Sequence, residues 1–113
     1  MEDNQSKNID KIINHIDSVI DYCSGCTSLD DFQNNTMLVE ACVFNLTQIG
    51  ELVTKISEET KNLNSNIPWK EISGMRNKIV HDYFSINLNI VWDTIQNDLP
   101  NLKKNMDKLK TKL

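Results

Sequence analysis

Apolar residues recur at helical intervals along almost the whole of this chain. Ile9, Ile12, Ile13, Ile16, Val19 and Ile20 fall three and four apart, the spacing of one face of an α-helix, with Ser6 standing where an N-cap would. After a turn at Cys23 to Thr27, Ser28-Leu29-Asp30-Asp31 has the form of a capping box closed by Asp in place of Glu, which predicts a short second helix through Phe32 and Gln33. Thr36 is placed to cap a long third helix whose stripe is Leu38, Cys42, Asn45, Ile49, Leu52 and Ile56. The stretch from Asn62 to Asn66 is polar and turn-like, and Pro68 suits the first position of a fourth helix through Trp69, Ile72, Met75 and Ile79. In the last segment Leu88, Trp92, Ile95, Leu99, Leu102, Met106, Leu109 and Leu113 alternate four and three apart. Pro100 interrupts that heptad seam. A proline inside a helix removes a hydrogen bond and clashes with the preceding turn, so a kink or restart is expected near Leu99.

The expected fold is therefore all-α, a single bundle of about five helices with the last one kinked at Pro100. No strand pattern, internal repeat or glycine-rich phosphate loop competes with that reading. At 113 residues, 39% hydrophobic and 25% charged, the chain reads as one ordinary globular domain over positions 1–113, large enough for one modest core. No apolar run approaches the roughly 20 residues of a membrane span, and Met1-Glu2-Asp3-Asn4-Gln5 is acidic and polar, unlike a signal peptide. The expected location is the cytoplasm, with no membrane partner.

Charge narrows the function classes. A net charge of −4 argues against a protein that holds nucleic acid over a broad basic face, because that mode works by neutralising many phosphates, though a small local phosphate site is compatible with it. Lys103, Lys104, Lys108, Lys110 and Lys112 make the C-terminal segment basic and read as a solvated helix face. Cys23-Ser24-Gly25-Cys26 has the C-x2-C spacing of zinc and redox sites. Only Cys42, His15 and His81 could complete a tetrahedral zinc shell, at irregular spacing, and no strand precedes the pair. Reduced thiols at a turn between helices, with no metal, are the expectation.

Three features of the helices themselves point to chemistry. Asn45 interrupts an otherwise apolar face, either as a hydrogen-bonded core residue or as part of a site. Gly50 sits inside a helix, at a cost of about 1 kcal/mol relative to alanine, which points to a close approach of another backbone or a ligand. Above all, Arg76 is the only arginine beside eleven lysines, and it opens the run Arg76-Asn77-Lys78-Ile79-Val80-His81-Asp82-Tyr83. A guanidinium suits fork-like contact with a phosphate, and an imidazole can exchange a proton near neutrality. At about 100° per residue Arg76 and Tyr83 fall within roughly 20° of one face, while Arg76 and His81 diverge by about 140°. Either the helix ends or bends near His81, or the His of one copy meets the Arg of a second across a two-fold axis. The second arrangement predicts a homodimer with a composite groove.

An imidazole and a guanidinium suffice to cleave RNA without a metal or cofactor, because the 2′-hydroxyl nucleophile is already inside the substrate. The competing reading of the same residues is a structural ion-pair network of Arg76, His81 and Asp82 at a helix end.

The sequence Ile67-Pro68-Trp69-Lys70-Glu71-Ile72-Ser73-Gly74-Met75-Arg76-Asn77-Lys78-Ile79-Val80-His81-Asp82-Tyr83 resembles the signature of HepT-like proteins, a branch of the HEPN superfamily. Ile49-Gly50-Glu51 upstream and Val91-Trp92 through Leu99-Pro100-Asn101-Leu102 downstream resemble the same family. Arg-x4-His-x-Tyr is short by itself; joined to Ile-Pro-Trp and Gly-Glu at these intervals it is specific. The resemblance implies a HEPN-like helical domain that is a dimer or a higher even oligomer. It implies a metal-independent ribonuclease acting as the toxin of a toxin-antitoxin pair, with Arg76 and His81 carrying cleavage. The implied partner is a small nucleotidyltransferase antitoxin that adds AMP to Tyr83, where the phosphates would occupy Arg76 and block the groove. Asn77 and Asp82 would orient the pair or cap the helix end, and Glu51 and Asn45 are candidates for a supporting shell. The acidic net charge favours a short, defined substrate such as a tRNA end or loop. The alternative is a non-catalytic subunit that binds substrate for, or scaffolds, a nucleotidyltransferase; a third is a helical interaction domain with no site.

Overall fold

The computed structural model describes residues 4–81 and 87–113, and every side chain among them except those at 76 and 78–81. Among these residues the fold is all-α, built from α1 (Asn4–Tyr22), α2 (Leu29–Gln33), α3 (Thr36–Val53), α4 (Glu58–Asn62), α5 (Trp69–His81), α6 (Leu88–Asp93) and α7 (Leu99–Lys110), with a π-helical turn Thr94–Asp98 joining the last two. If α6, the π turn and α7 are taken as one interrupted helix, six helices stand where about five were expected.

Most of the stripes read from the sequence form the core, although Leu113, expected on the last stripe, is 42% exposed. Ile9, Ile12, Ile16 and Val19 of α1 are buried, as are Cys42, Leu46, Ile49 and Val53 of α3 and Leu99, Leu102, Met106 and Leu109 of α7. α3 packs on both α1 and α5, and α1 packs in turn on α7. Two ion pairs fix the sense of that last contact: Lys103 meets Asp17 at 2.6 Å and Lys110 meets Asp10 at 2.5 Å, so α1 and α7 run antiparallel. Each carboxylate raises the pKa of its lysine, first through the direct hydrogen bond. Two of the C-terminal lysines expected to be merely solvated therefore reach across to a neighbouring helix. α3 has the length and apolarity of a membrane span, with a mean hydropathy of 1.2. Its buried apolar side chains nonetheless belong to the core cluster shared with α1 and α7.

Local chemistry explains the helix ends. α2 starts as its capping box predicts: Ser28 Oγ accepts from the Asp31 amide at 3.2 Å. Asp31 accepts in return from the Thr27 amide and hydroxyl at 2.9 and 3.0 Å, which holds its carboxyl below the ordinary carboxylate range. Two other caps differ from expectation. Asn35 rather than Thr36 caps α3, accepting from the Leu38 amide at 3.1 Å. Ser6 lies inside α1, which already includes Asn4. Asn is as good an N-cap as Ser or Thr, and a cap must stand one residue outside the helix it serves.

The short α4 was not foreseen. Ser57 caps it by accepting from the Thr60 amide at 3.1 Å, and the Ser57 amide donates to Gln5 Oε1 at 2.8 Å, tying α4 to the start of α1. Around Pro100 the chain widens into the π turn and restarts at Leu99, with the proline in the first turn of α7. There its missing N–H costs nothing, so the expected interruption takes the form of a π turn followed by a fresh helix start.

Candidate functional site

The motif helix α5 begins where Ile67 and Pro68 lock the chain. Ile67 is buried, and the Pro68 carbonyl accepts from the Ile72 amide at 3.0 Å, so the proline stands just outside the helix rather than at its first position. Trp69 donates its indole N–H to the Asn64 carbonyl at 3.2 Å, and Ile72 and Met75 face the core. Arg76 lies inside α5 and His81 is its last residue. Five residues along one continuous α-helix correspond to about 7.5 Å of rise and the expected 140° of rotation. Asp82 and Tyr83 lie outside the described residues, as do the side chains of Arg76 and His81.

Asn77 is exposed and lines an open polar groove of about 550 Å3 between α4 and α5. From α4 come Glu58, Lys61 and Asn62, from the segment that follows it Ser65, and from α5 Trp69, Lys70, Ser73, Gly74 and Asn77. Lys61 is paired to Glu58 at 3.6 Å, with the glutamate side chain 85% exposed. On the other side of Gly74 lies an apolar cleft of about 430 Å3, whose walls include Ile49, Ile72, Met75, Ile90 and Leu99. Sequence reasoning missed the groove. The signal available for it was the spacing Lys70, Ser73, Gly74, Asn77, which is one face of a helix.

Asn45 is a satisfied core residue. Its Nδ2 donates to the Ala41 carbonyl at 2.8 Å, and its Oδ1 lies 2.7 Å from His15 Nδ1, so His15 donates from Nδ1. Gly50 is buried on α3. Glu51 is half-buried near the end of the same helix.

The cysteines resolve differently from their spacing. Cys23 pairs with Cys42, not Cys26, at 3.6 Å between sulfurs, and both are buried and unoxidised. The hydrogen bond it shares with Cys23, then burial, pushes the Cys42 thiol up. Among the described residues no cluster of three or more His, Cys, Asp or Glu could hold a metal ion.

Comparison with known proteins places this architecture. The family model described as Ribonuclease HepT-like matches residues 12–109. A provisionally named RNase of Caldanaerobacter subterraneus subsp. tengcongensis is 36% identical over 101 residues, covering 89% of each chain. Another provisionally named RNase, from Methanocaldococcus jannaschii, is 34% identical over 87% of this chain and 80% of its own. A protein of Thermococcus cleftensis provisionally named ribonuclease HepT is 35% identical over 72% of this chain and 74% of its own. No solved structure matches. With the helical fold, the Ile-Pro-Trp entry to α5 and this coverage, the chain belongs to the HepT-like ribonuclease family.

Proposed function

We propose that this protein is a metal-independent endoribonuclease, the toxin of a toxin-antitoxin pair, that cleaves RNA in a groove shared by two copies. The ribonuclease class follows from the family. The observation that supports the finer reading is that Arg76 and His81 both belong to α5, whose last residue is His81. Positions 76 and 81 diverge by about 140° along α5, and two copies about a two-fold axis can bring the pair together by each lending one residue.

In that groove His81 takes the proton of the 2′-hydroxyl, whose oxygen attacks the neighbouring phosphorus. Arg76 holds the phosphate and its developing charge, the bond to the 5′-oxygen breaks, and that oxygen leaves protonated. The products are a 2′,3′-cyclic phosphate and a 5′-hydroxyl. Asn77 and Asp82 act as positioning residues. AMP added to Tyr83 by a partner nucleotidyltransferase would place phosphates against Arg76 and silence the site. A short RNA target such as a tRNA end suits the acidic chain, and the cytoplasm is where RNA and partner meet. The whole chain acts as one domain.

The test is cleavage of mixed tRNA and mRNA in excess EDTA by protein whose mass shows no AMP, against Arg76→Ala and His81→Ala variants of intact fold. Cleavage lost in both variants is the expected result. Cleavage unchanged in the variants, or absent across RNA classes, would favour a non-catalytic partner of the nucleotidyltransferase.

A further inference from the structure

We infer that the polar groove between α4 and α5 is the binding track for the RNA strand next to the scissile phosphate, with Lys61 and Lys70 as its phosphate contacts and Gly74 as the point of closest approach. This rests on the ribonuclease reading above.

The argument begins with the helix. Lys70, Ser73, Gly74 and Asn77 are spaced zero, three, four and seven along α5, one stripe, and all four line the groove. Position 81 is the next on that stripe, one turn beyond Asn77 and seven residues after Gly74, so the groove wall and the position of His81 belong to the same face of one helix. A strand lying in the groove is thereby led to the end of α5.

The groove's chemistry is that of a nucleic-acid track. Lys61 comes from α4 and Lys70 from α5, and Ser65, Ser73, Asn62 and Asn77 add hydroxyls and amides to the same lining. The single carboxylate among the lining residues, Glu58, holds Lys61 at a long 3.6 Å and is itself almost fully in water, so an incoming phosphate can replace it. Trp69, packed in part against the core and with its N–H satisfied by the Asn64 carbonyl, adds the exposed part of an aromatic ring to the lining. The volume of about 550 Å3 lies inside the range of about 300–1,000 Å3 for ligand sites.

Gly74 is the independent observation. It lies inside α5, is exposed, and a Cβ built there meets nothing within 4 Å. Nothing described within this chain asks for a glycine at this position, and an alanine would favour the helix. Absence of a side chain makes sense where a second molecule comes close to the backbone. Because the net charge is −4, a local pair of lysines rather than a basic surface is also the form an RNA contact would take here.

The test uses the full-length protein and a short single-stranded 2′-O-methyl RNA of mixed sequence, which cannot be cleaved because its nucleophile is blocked. Binding is followed by fluorescence anisotropy over a salt series. The double variant Lys61→Gln/Lys70→Gln should weaken binding about tenfold and flatten the slope of log K against log salt by about 1.4, since each single-strand phosphate contact carries roughly 0.7. Gly74→Gln, which leaves the charge unaltered, should weaken binding at every salt concentration. The control Lys104→Gln/Lys108→Gln makes the same charge change outside the groove and should leave the slope near that of the parent. A groove variant that binds with the parent's affinity and slope overturns the proposal, as does a control pair that lowers both equally. Cleavage of unmodified RNA is scored separately. A parent that cleaves while groove variants bind normally sinks the groove and keeps the ribonuclease. A parent that binds through the groove yet cleaves nothing keeps the groove and sinks the ribonuclease.

Discussion

Gly74→Ala should make this protein more stable, an unusual direction for a substitution in a motif helix. Glycine in a helix interior costs about 0.5–1 kcal/mol relative to alanine, because the unfolded chain has more freedom to lose. Two opposing effects could cancel that gain. A left-handed backbone would strain a Cβ, but among the described residues no glycine has positive φ. A crowded neighbourhood would clash with it, but the space within 4 Å of the added carbon is empty. The full gain should therefore appear. With unfolding entropy of about 2.1 cal/mol/K per residue, a 113-residue chain has about 0.24 kcal/mol/K, so the midpoint should rise by about 2–4 °C. Thermal unfolding followed by circular dichroism at two protein concentrations measures it. A midpoint that falls, or whose fall depends on concentration, refutes the reasoning: it would show that the exposed ridge of α5 is already packed against something in solution.

Other substitutions probe other layers. Asn45→Ala removes the acceptor of the His15 Nδ1 proton and the donor to Ala41, and should cost about 1–3 kcal/mol in urea unfolding. Asp31 has a lowered folded pKa, so the unfolded chain takes its proton first as pH falls; its contribution is complete above the ordinary carboxylate value and is lost through the folded one. The urea midpoints of the parent and Asp31→Asn should accordingly differ at pH 7 and converge as pH drops below about 4. Iodoacetamide under native conditions should label Cys26, the one partly exposed thiol, well before Cys23 and Cys42, a ranking read by peptide mass.

How much of this was legible depended on the length over which a signal repeats. The stripes of α1 and α7 recur over several turns, so their buried faces were readable, and Pro100 announced the interruption between α6 and α7. α4 has five residues, too few for a period, and only its cap at Ser57 could have revealed it. Ser6 and Thr36 misplaced two helix starts by a residue or more, because Ser, Thr and Asn are near-equal caps and several stood close together. Asn45 posed a question that sequence alone left open, since its partner His15 is thirty residues away. The motif on α5 was visible as a string of unusual residues, yet its groove was not, because Lys61 and Ser65 arrive from another element and only the fold sets them opposite Lys70.

The ion pairs between α1 and α7 join residues 86 and 100 positions apart, and they bear on how the protein is made. α1 and α3 can pair as soon as both are synthesised, but the surface of α1 that α7 covers stays open until α7 itself has emerged. Met106 and Leu109 of α7, both fully buried, belong to the surface that closes over α1. Closure of this bundle is thus held until α7 has been made, and a chain stopped before Lys103 would lack the strap that closes it.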